Sequence, residues 1–330
     1  MDAAGLAWLV LGALFLAGAI GWSAAPPAGE SGVPAAAPSG GARKKLEGFR
    51  IEPPPGVRIE WDRAYLDPAR NEKADLYLPA AARSGARLPA VVVMHGGGFN
   101  DGDKARSREH NLCTNLALRG YVAMSINYKL WNAGARDKAT WPQALHDAKT
   151  AVRWLRMNGA ALGVDPDRIG AFGCSAGGNL AAMLATTGPA DGLDPAGPWA
   201  GFSTRVSCAV DFYGAVKLMD YHDMKMFAQT RAEAPGLYEK ASPVSHVSPG
   251  DAPLLIVHGT KDDTVPLAQS EALAAACRKA GVEHELVVVE GAPHTFHLMP
   301  KQRDLRPVVF AFLDRHLKNG AAAGAASDRR

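Results

Sequence analysis

Apolar and polar positions follow three rhythms along the chain, and each predicts a different element. In residues 57–61 and 74–78 apolar and polar side chains take turns. That two-residue period fits antiparallel strands with one face in the core and one in water. From residue 90 the rhythm changes. Ala90-Val91-Val92-Val93-Met94 is an unbroken apolar run, as a strand buried on both faces requires. Residues 121–126, 168–172, 206–212, 254–257 and 286–289 have the same character. Between these runs apolar residues recur at three and four. In 142–156, Leu145, Ala148, Ala151, Val152 and Leu155 share one helical face, and Pro142 suits a first turn. Residues 180–184, 267–277 and 308–317 also read as helices. Strands alternating with helices predict an α/β fold with a mostly parallel, doubly wound sheet, entered through antiparallel strands. Such sheets gather their chemistry beyond the carboxyl ends of the strands.

The ends break these rhythms. Residues 5–22 are almost wholly apolar, and no charge follows Asp2 within them. The stretch is short for a membrane span and long for the core of an export signal. It also lacks the usual Lys or Arg. An export signal is favoured over an uncleaved anchor, so residues 1–23 are expected to export the protein, with a membrane tether through 5–22 as the variant reading. Residues 24–47 are Pro, Ala, Gly and Ser with few large apolar groups, too little to offset ordering entropy. They predict a disordered linker, and 319–330 a disordered tail. The folded unit is expected over 48–318.

Composition narrows the partners. The chain has 330 residues, 47% apolar and 21% charged, which are globular values. A net charge of +3 is too small for a nucleic-acid surface. No C-x-x-C pair and no H-E-x-x-H occurs, so a zinc site has little support, and the chemistry read below needs neither a metal nor an organic cofactor. Cys113, Cys174, Cys208 and Cys277 are scattered and read as small buried hydrophobes rather than bridges.

Candidate chemistry falls at the predicted strand ends. Gly173-Cys174-Ser175-Ala176-Gly177 follows the 168–172 strand. Small residues around a serine suit a tight strand-to-helix turn with the hydroxyl at its apex. Chance alone places such a pentapeptide in roughly one chain of this composition in six, so the partners decide. His95-Gly96-Gly97-Gly98-Phe99 follows the 90–94 run. Acyl transfer needs donors where a carbonyl oxygen turns negative. The amides of Gly97, Gly98 and Ala176 are assigned that role, and His95 is read as a brace for the loop. A phosphate loop would want a Lys-Ser or Lys-Thr ending, which is lacking. After the 254–257 strand, Asp262 and Asp263 compete to orient an imidazole. After the 286–289 strand, His294 and His297 compete as base. The order Ser175, Asp262, His294 is that of a serine hydrolase on this architecture.

With these motifs in place, the chain resembles the α/β-hydrolase superfamily. It looks most like the hormone-sensitive-lipase-like esterases, and within them the bacterial feruloyl and acetyl-xylan esterase-like (BD-FAE-like) proteins. The matching stretches are VVVMHGGGF, INYKL, WPQALHDAKTAVRWLR, GVDPDRIGAFGCSAGGNLAAML, VDFYG, SPVSHVSPGDAPLLIVHGTKDDTVP and GAPHTFHL, in order along nearly the whole folded unit. The resemblance implies an α/β-hydrolase fold with a small cap and the same oxyanion donors. Its H-G-x-x-D-x-x-V-P pattern selects Asp262, and G-x-x-H-x-F selects His294. Tyr128-Lys129-Leu130 departs from the Tyr-Arg-Leu of many relatives. The segment with Trp131, Asn132, Arg136 and Lys138 is less family-like and is placed near the mouth of the site.

The expected activity is a serine carboxylesterase acting on short-acyl or aromatic esters, including acetyl or feruloyl esters of plant polysaccharide. Residues 187–204 and 215–240 are expected to build the pocket as cap segments. The aromatic and Met-rich second segment reads as a lid helix or as a cap packed on the main domain. Two rivals stand beside the esterase. One is a prolyl-oligopeptidase-like peptidase, which shares the serine turn but usually carries a propeller for which there is no room. The other is an inactive hydrolase fold used for binding.

Overall fold

The computed structural model describes residues 51–82, 85–131 and 139–319. The expected signal or anchor, the linker, residues 320–330 of the tail, and Asn132, Arg136 and Lys138 lie outside the described residues.

Eight strands form one sheet in the order β1-β2-β4-β3-β5-β6-β7-β8. β1 (Val57–Arg63), β2 (Ala74–Pro79) and β4 (Val122–Ile126) pair antiparallel in sequence. β4, β3 (Leu88–Met94), β5 (Val164–Cys174), β6 (Ala209–Phe212), β7 (Leu254–Lys261) and β8 (His284–Pro293) pair in parallel. The expected α/β-hydrolase arrangement is present.

Side-chain alternation splits the core into two layers. From β3, Ala90, Val92 and Met94 enter one cluster while Val91 and Val93 enter the other. The first layer is covered by α2 (Gln143–Met157), α4 (Ala176–Thr186) and α6 (Ala268–Ala280). The second is covered by α1 (Ser107–Leu118) and α7 (Arg306–Asp314). Two short helices, α3 (Gly159–Leu162) and α5 (Pro235–Lys240), complete the set. All four cysteines are buried and free.

Two local expectations are corrected. β2 is not half-exposed: Ala74 to Leu78 are all buried. β1 occupies the sheet edge instead, and the polar position of β2, Asp75, is neutralised by Lys104 at 2.7 Å. α1 has no counterpart among the expected helices. Its sequence SREHNLCTNLAL is polar, yet Leu112, Cys113, Leu116 and Ala117 are buried, and so is Glu109. A charged residue on the buried stripe hides the helical period.

Candidate active site

Five strand ends converge at the carboxyl edge of the sheet. β5 runs into Ser175, whose backbone is left-handed (φ 57, ψ −120), and α4 starts on the next residue. Only small neighbours permit this turn. A Cβ on Gly173 would lie 1.8 Å from the Gly177 carbonyl oxygen, and one on Gly177 would lie 2.1 Å from the Met94 oxygen. The glycines on both sides of the serine therefore answer to close backbone approach, as the sequence motif suggested.

His294, just past β8, faces the serine. Its Nε2 lies 3.0 Å from Ser175 Oγ, and its Nδ1 lies 2.6 Å from Asp262 Oδ2. A carboxylate only accepts, so Nδ1 carries the proton, and in the neutral ring Nε2 is left to accept from the serine. Asp262 directly follows β7, with its side chain fully enclosed. Its Oδ1 accepts from the amides of Thr264 (2.9 Å) and Val265 (2.8 Å), which fixes the carboxylate plane. The rivals stand aside. Asp263 is exposed, and His297 is exposed with its Nδ1 accepting the Met299 amide at 3.1 Å.

Gly97, Gly98 and Ala176 line the same cavity as Ser175 and His294. A Cβ on Gly97 would meet the Asp101 carbonyl oxygen at 2.0 Å, so this loop too is held by backbone packing. His95 braces it. Its ring stacks on Tyr128 at 4.3 Å, its Nδ1 donates to the Gly96 carbonyl at 2.8 Å, and Tyr128 Oη donates to the His95 carbonyl at 2.7 Å. Burial pushes the His95 imidazole down to about 4, so it stays neutral.

Several residues of the site had no role in the sequence reading. Tyr213, directly after β6, puts its ring edge-on to His294 at 4.7 Å and donates to the Phe296 carbonyl at 2.5 Å. An aromatic residue and a glycine closing a buried strand was the available signal. His258 backs the acid: its Nε2 is 2.8 Å from the Val265 carbonyl and 3.2 Å from Asp262 Oδ2. Burial lowers the His258 pKa, and Ser270 Oγ lies 2.7 Å from its Nδ1. Asp211 sits under the serine turn with Oδ1 accepting the Gly214 amide at 2.9 Å. Complete burial pushes its carboxyl up to about 7.

The cavity holds about 520 Å³. Of the two cap segments, only the second contributes, through Ala215 and residues 221–225. The expectation that 187–204 helps build the pocket is corrected. Asp194 ties that segment to α2, 2.7 Å from Lys149 Nζ, and Arg153 Nη1 donates to the Pro195 carbonyl at 2.7 Å. The second segment is a series of short turns closed by the six-residue α5, whose Tyr238 is buried, rather than a lid helix over the cavity. Leu218, Met224, Met226, Phe227 and Tyr238 are buried in the core, leaving His222, Asp223 and Lys225 exposed above the cavity. The departure at Lys129 leaves Asp147 satisfied, since Arg70 Nη2 reaches its Oδ2 at 2.6 Å and the Lys129 amide donates at 2.8 Å.

A parallel sheet with antiparallel entry strands and a serine on a strained strand-to-helix turn define an α/β-hydrolase. Residues 74–277 match the family model described as BD-FAE, and the chain belongs to that family. Esterase LipQ of Mycobacterium tuberculosis is 32% identical over 248 residues, which is 72% of this chain and 57% of LipQ. The chain spans about half the length of the first curated relatives it matches. Among solved structures, a truncated carbohydrate esterase from gut microbiota overlays with a TM-score of 0.72, covering 80% of this chain and 98% of that one. At 22% identity it speaks to the fold alone. The thermophilic esterase Est2 of Thermogutta terrifontis, solved with propionate bound, is 30% identical with a TM-score of 0.66, over 79% of this chain and 94% of Est2.

Proposed function

We propose that the protein is a serine carboxylesterase in which Ser175, His294 and Asp262 form the catalytic triad. The observation that carries this reading is the unbroken relay from Ser175 Oγ through His294 to Asp262, at 3.0 and 2.6 Å. Ser175 Oγ attacks the ester carbonyl carbon as its proton passes to His294 Nε2. The oxygen that turns negative is held by the amides of Gly97, Gly98 and Ala176. His294 returns the proton to the leaving alcohol as the carbon–oxygen bond breaks. Water then attacks the acyl-enzyme by the reverse route, releasing the acid and restoring Ser175. Asp262 holds the imidazole tautomer and stabilises its charged form.

A cavity of about 520 Å³ suits short-acyl or aromatic esters, including acetyl or feruloyl groups on plant polysaccharide. The esterase names of LipQ and Est2 support the same reading. We further propose that the protein is exported, on the strength of the apolar stretch at 5–22; finding it only in the cytosolic fraction would sink that part.

The test is turnover of p-nitrophenyl acetate and labelling by a fluorophosphonate. Ser175→Ala is expected to lose labelling and about 10⁴-fold or more in kcat. An alanine variant with wild-type turnover overturns the assignment.

A further inference from the structure

We propose that the site selects esters that carry a carboxylate, which Arg108 holds beside the nucleophile. This rests on the esterase reading and names its substrate class. Arg108 belongs to α1 and lines the cavity, with 17% of its side chain exposed. Its Nε donates to Glu109 Oε1 at 2.8 Å. Among the described residues no hydrogen bond engages Nη1 or Nη2. Nη2 hangs over Gly96. A Cβ built on Gly96 would lie 3.1 Å from Arg108 Nη2 and 3.2 Å from the Ser175 Cβ. That point also lies 3.0 Å from the Cys174 carbonyl oxygen, so Nη2 and the nucleophile's side chain approach each other across the Gly96 backbone.

The lining carries three cations, Arg106, Arg108 and Lys225, against one acid, Asp223. Arg106 is paired with Asp101 at 2.6 Å, and Lys225 lies over the Trp131 ring at 5.4 Å. The acid in the lining, Asp223, is held by Arg231, which lies outside the lining. Glu109 is buried against Arg108, offsets part of its charge and accepts a hydrogen bond from Nε. That leaves the Nη edge of the guanidinium fork without a hydrogen-bond partner among the described residues, with Nη2 near the Ser175 side chain. A carboxylate fits such a fork in bidentate fashion, whereas a neutral ester leaves it solvated. Hydrogen bonds to charged groups are worth about 10- to 100-fold in affinity.

The carboxylate can sit on either side of the scissile bond, and two substrate pairs separate the cases. On the alcohol side, 4-acetoxybenzoate is compared with 4-acetoxybenzamide. On the acyl side, monomethyl succinate is compared with methyl succinamate. In the wild type, the charged member of at least one pair is expected to have about 10- to 100-fold higher kcat/KM, with the ratio shrinking at high salt. Arg108→Gln is expected to bring that ratio near one, and Arg108→Lys to keep only part of it. Removing Arg108 strands Glu109 in the core, so the ratio is also measured in the Arg108→Gln/Glu109→Gln double variant, with fluorophosphonate labelling as the check on site assembly. A wild-type ratio at or below one in both pairs overturns the proposal, and so does an Arg108→Gln ratio equal to wild type. Failure of the esterase reading looks different: neither member of any pair is hydrolysed, and the wild type stays unlabelled.

Discussion

Below the cavity, the serine turn leaves no room for even one extra methyl group; above it, residues 218–228 are held by side chains at the rim. The floor is set by backbone contacts, such as the 1.8 Å that would separate a Gly173 Cβ from the Gly177 oxygen. The roof is anchored by Leu218, Met224, Met226 and Phe227 in the core, and a few polar links tie its exposed rim. Arg231 reaches Asp223 at 3.1 Å and the Met219 carbonyl at 3.1 Å, and also the Tyr221 carbonyl. Tyr221 Oη donates to the Thr264 carbonyl at 2.9 Å, joining the roof to the acid loop. Reaction chemistry needs fixed geometry, and the strand ends supply it. Choice of substrate needs side chains that differ among relatives, and short exposed turns tolerate such change.

Breaking the floor should cost most. Asp262→Asn offers His294 an amide donor where a carboxylate stood, which favours the wrong imidazole tautomer. A loss of about 10⁴ in kcat is expected, measured on p-nitrophenyl acetate. Asp263→Asn, one residue along and exposed, is the control and should stay within about twofold. Equal losses in the two variants would mean that the acid is misassigned.

A smaller effect tests how the floor tolerates its buried carboxyl. The Asp211 pKa moves from 3.8 to about 7 because burial disfavours the charged form, while the Gly214 amide opposes the shift. The folded state therefore holds a proton that the unfolded chain releases. Stability from this group is complete below pH 3.8 and is lost as pH rises through about 7. Asp211→Asn does not titrate. It should raise unfolding stability at pH 8 by on the order of 2–4 kcal/mol relative to wild type, with the gain fading toward pH 4. Denaturant titrations at both pH values check this, and a gain equal at both sinks the argument.

The roof should answer most mildly. Arg231→Ala removes its exposed tie to Asp223 and its bonds to the Met219 and Tyr221 carbonyls, and should change kcat/KM by about two- to fivefold, mainly through KM. A loss as large as that of Asp262→Asn would show that the roof positions the reacting atoms, and the contrast between the two walls would fall.

How far the sequence was legible follows the same division. The strands of the parallel core were visible as apolar runs, because a strand covered on both faces has no polar side to interrupt it. β2 misled, since Asp75 is polar and buried, and only its pairing with Lys104 explains that. α1 was missed for the same reason at Glu109, paired with Arg108. In both cases an ion pair across distant or neighbouring positions made a polar residue behave as core.

The sequence by itself determined the kinds of chemistry present: a serine flanked by glycines, an acid and an imidazole after later strands, and a glycine-rich loop. Local spacing suffices there, because a tight turn depends on residues within a few positions of one another. The resemblance already selected Asp262 and His294; the tertiary structure brings them to the serine, and it alone decided that 187–204 packs on α2 rather than over the cavity and that Tyr213, His258 and Arg108 surround the site. Those outcomes depend on contacts between residues up to 119 positions apart, as between Ser175 and His294. Such distances are set by how the strands order themselves in the sheet, which no local pattern of apolar and polar residues encodes.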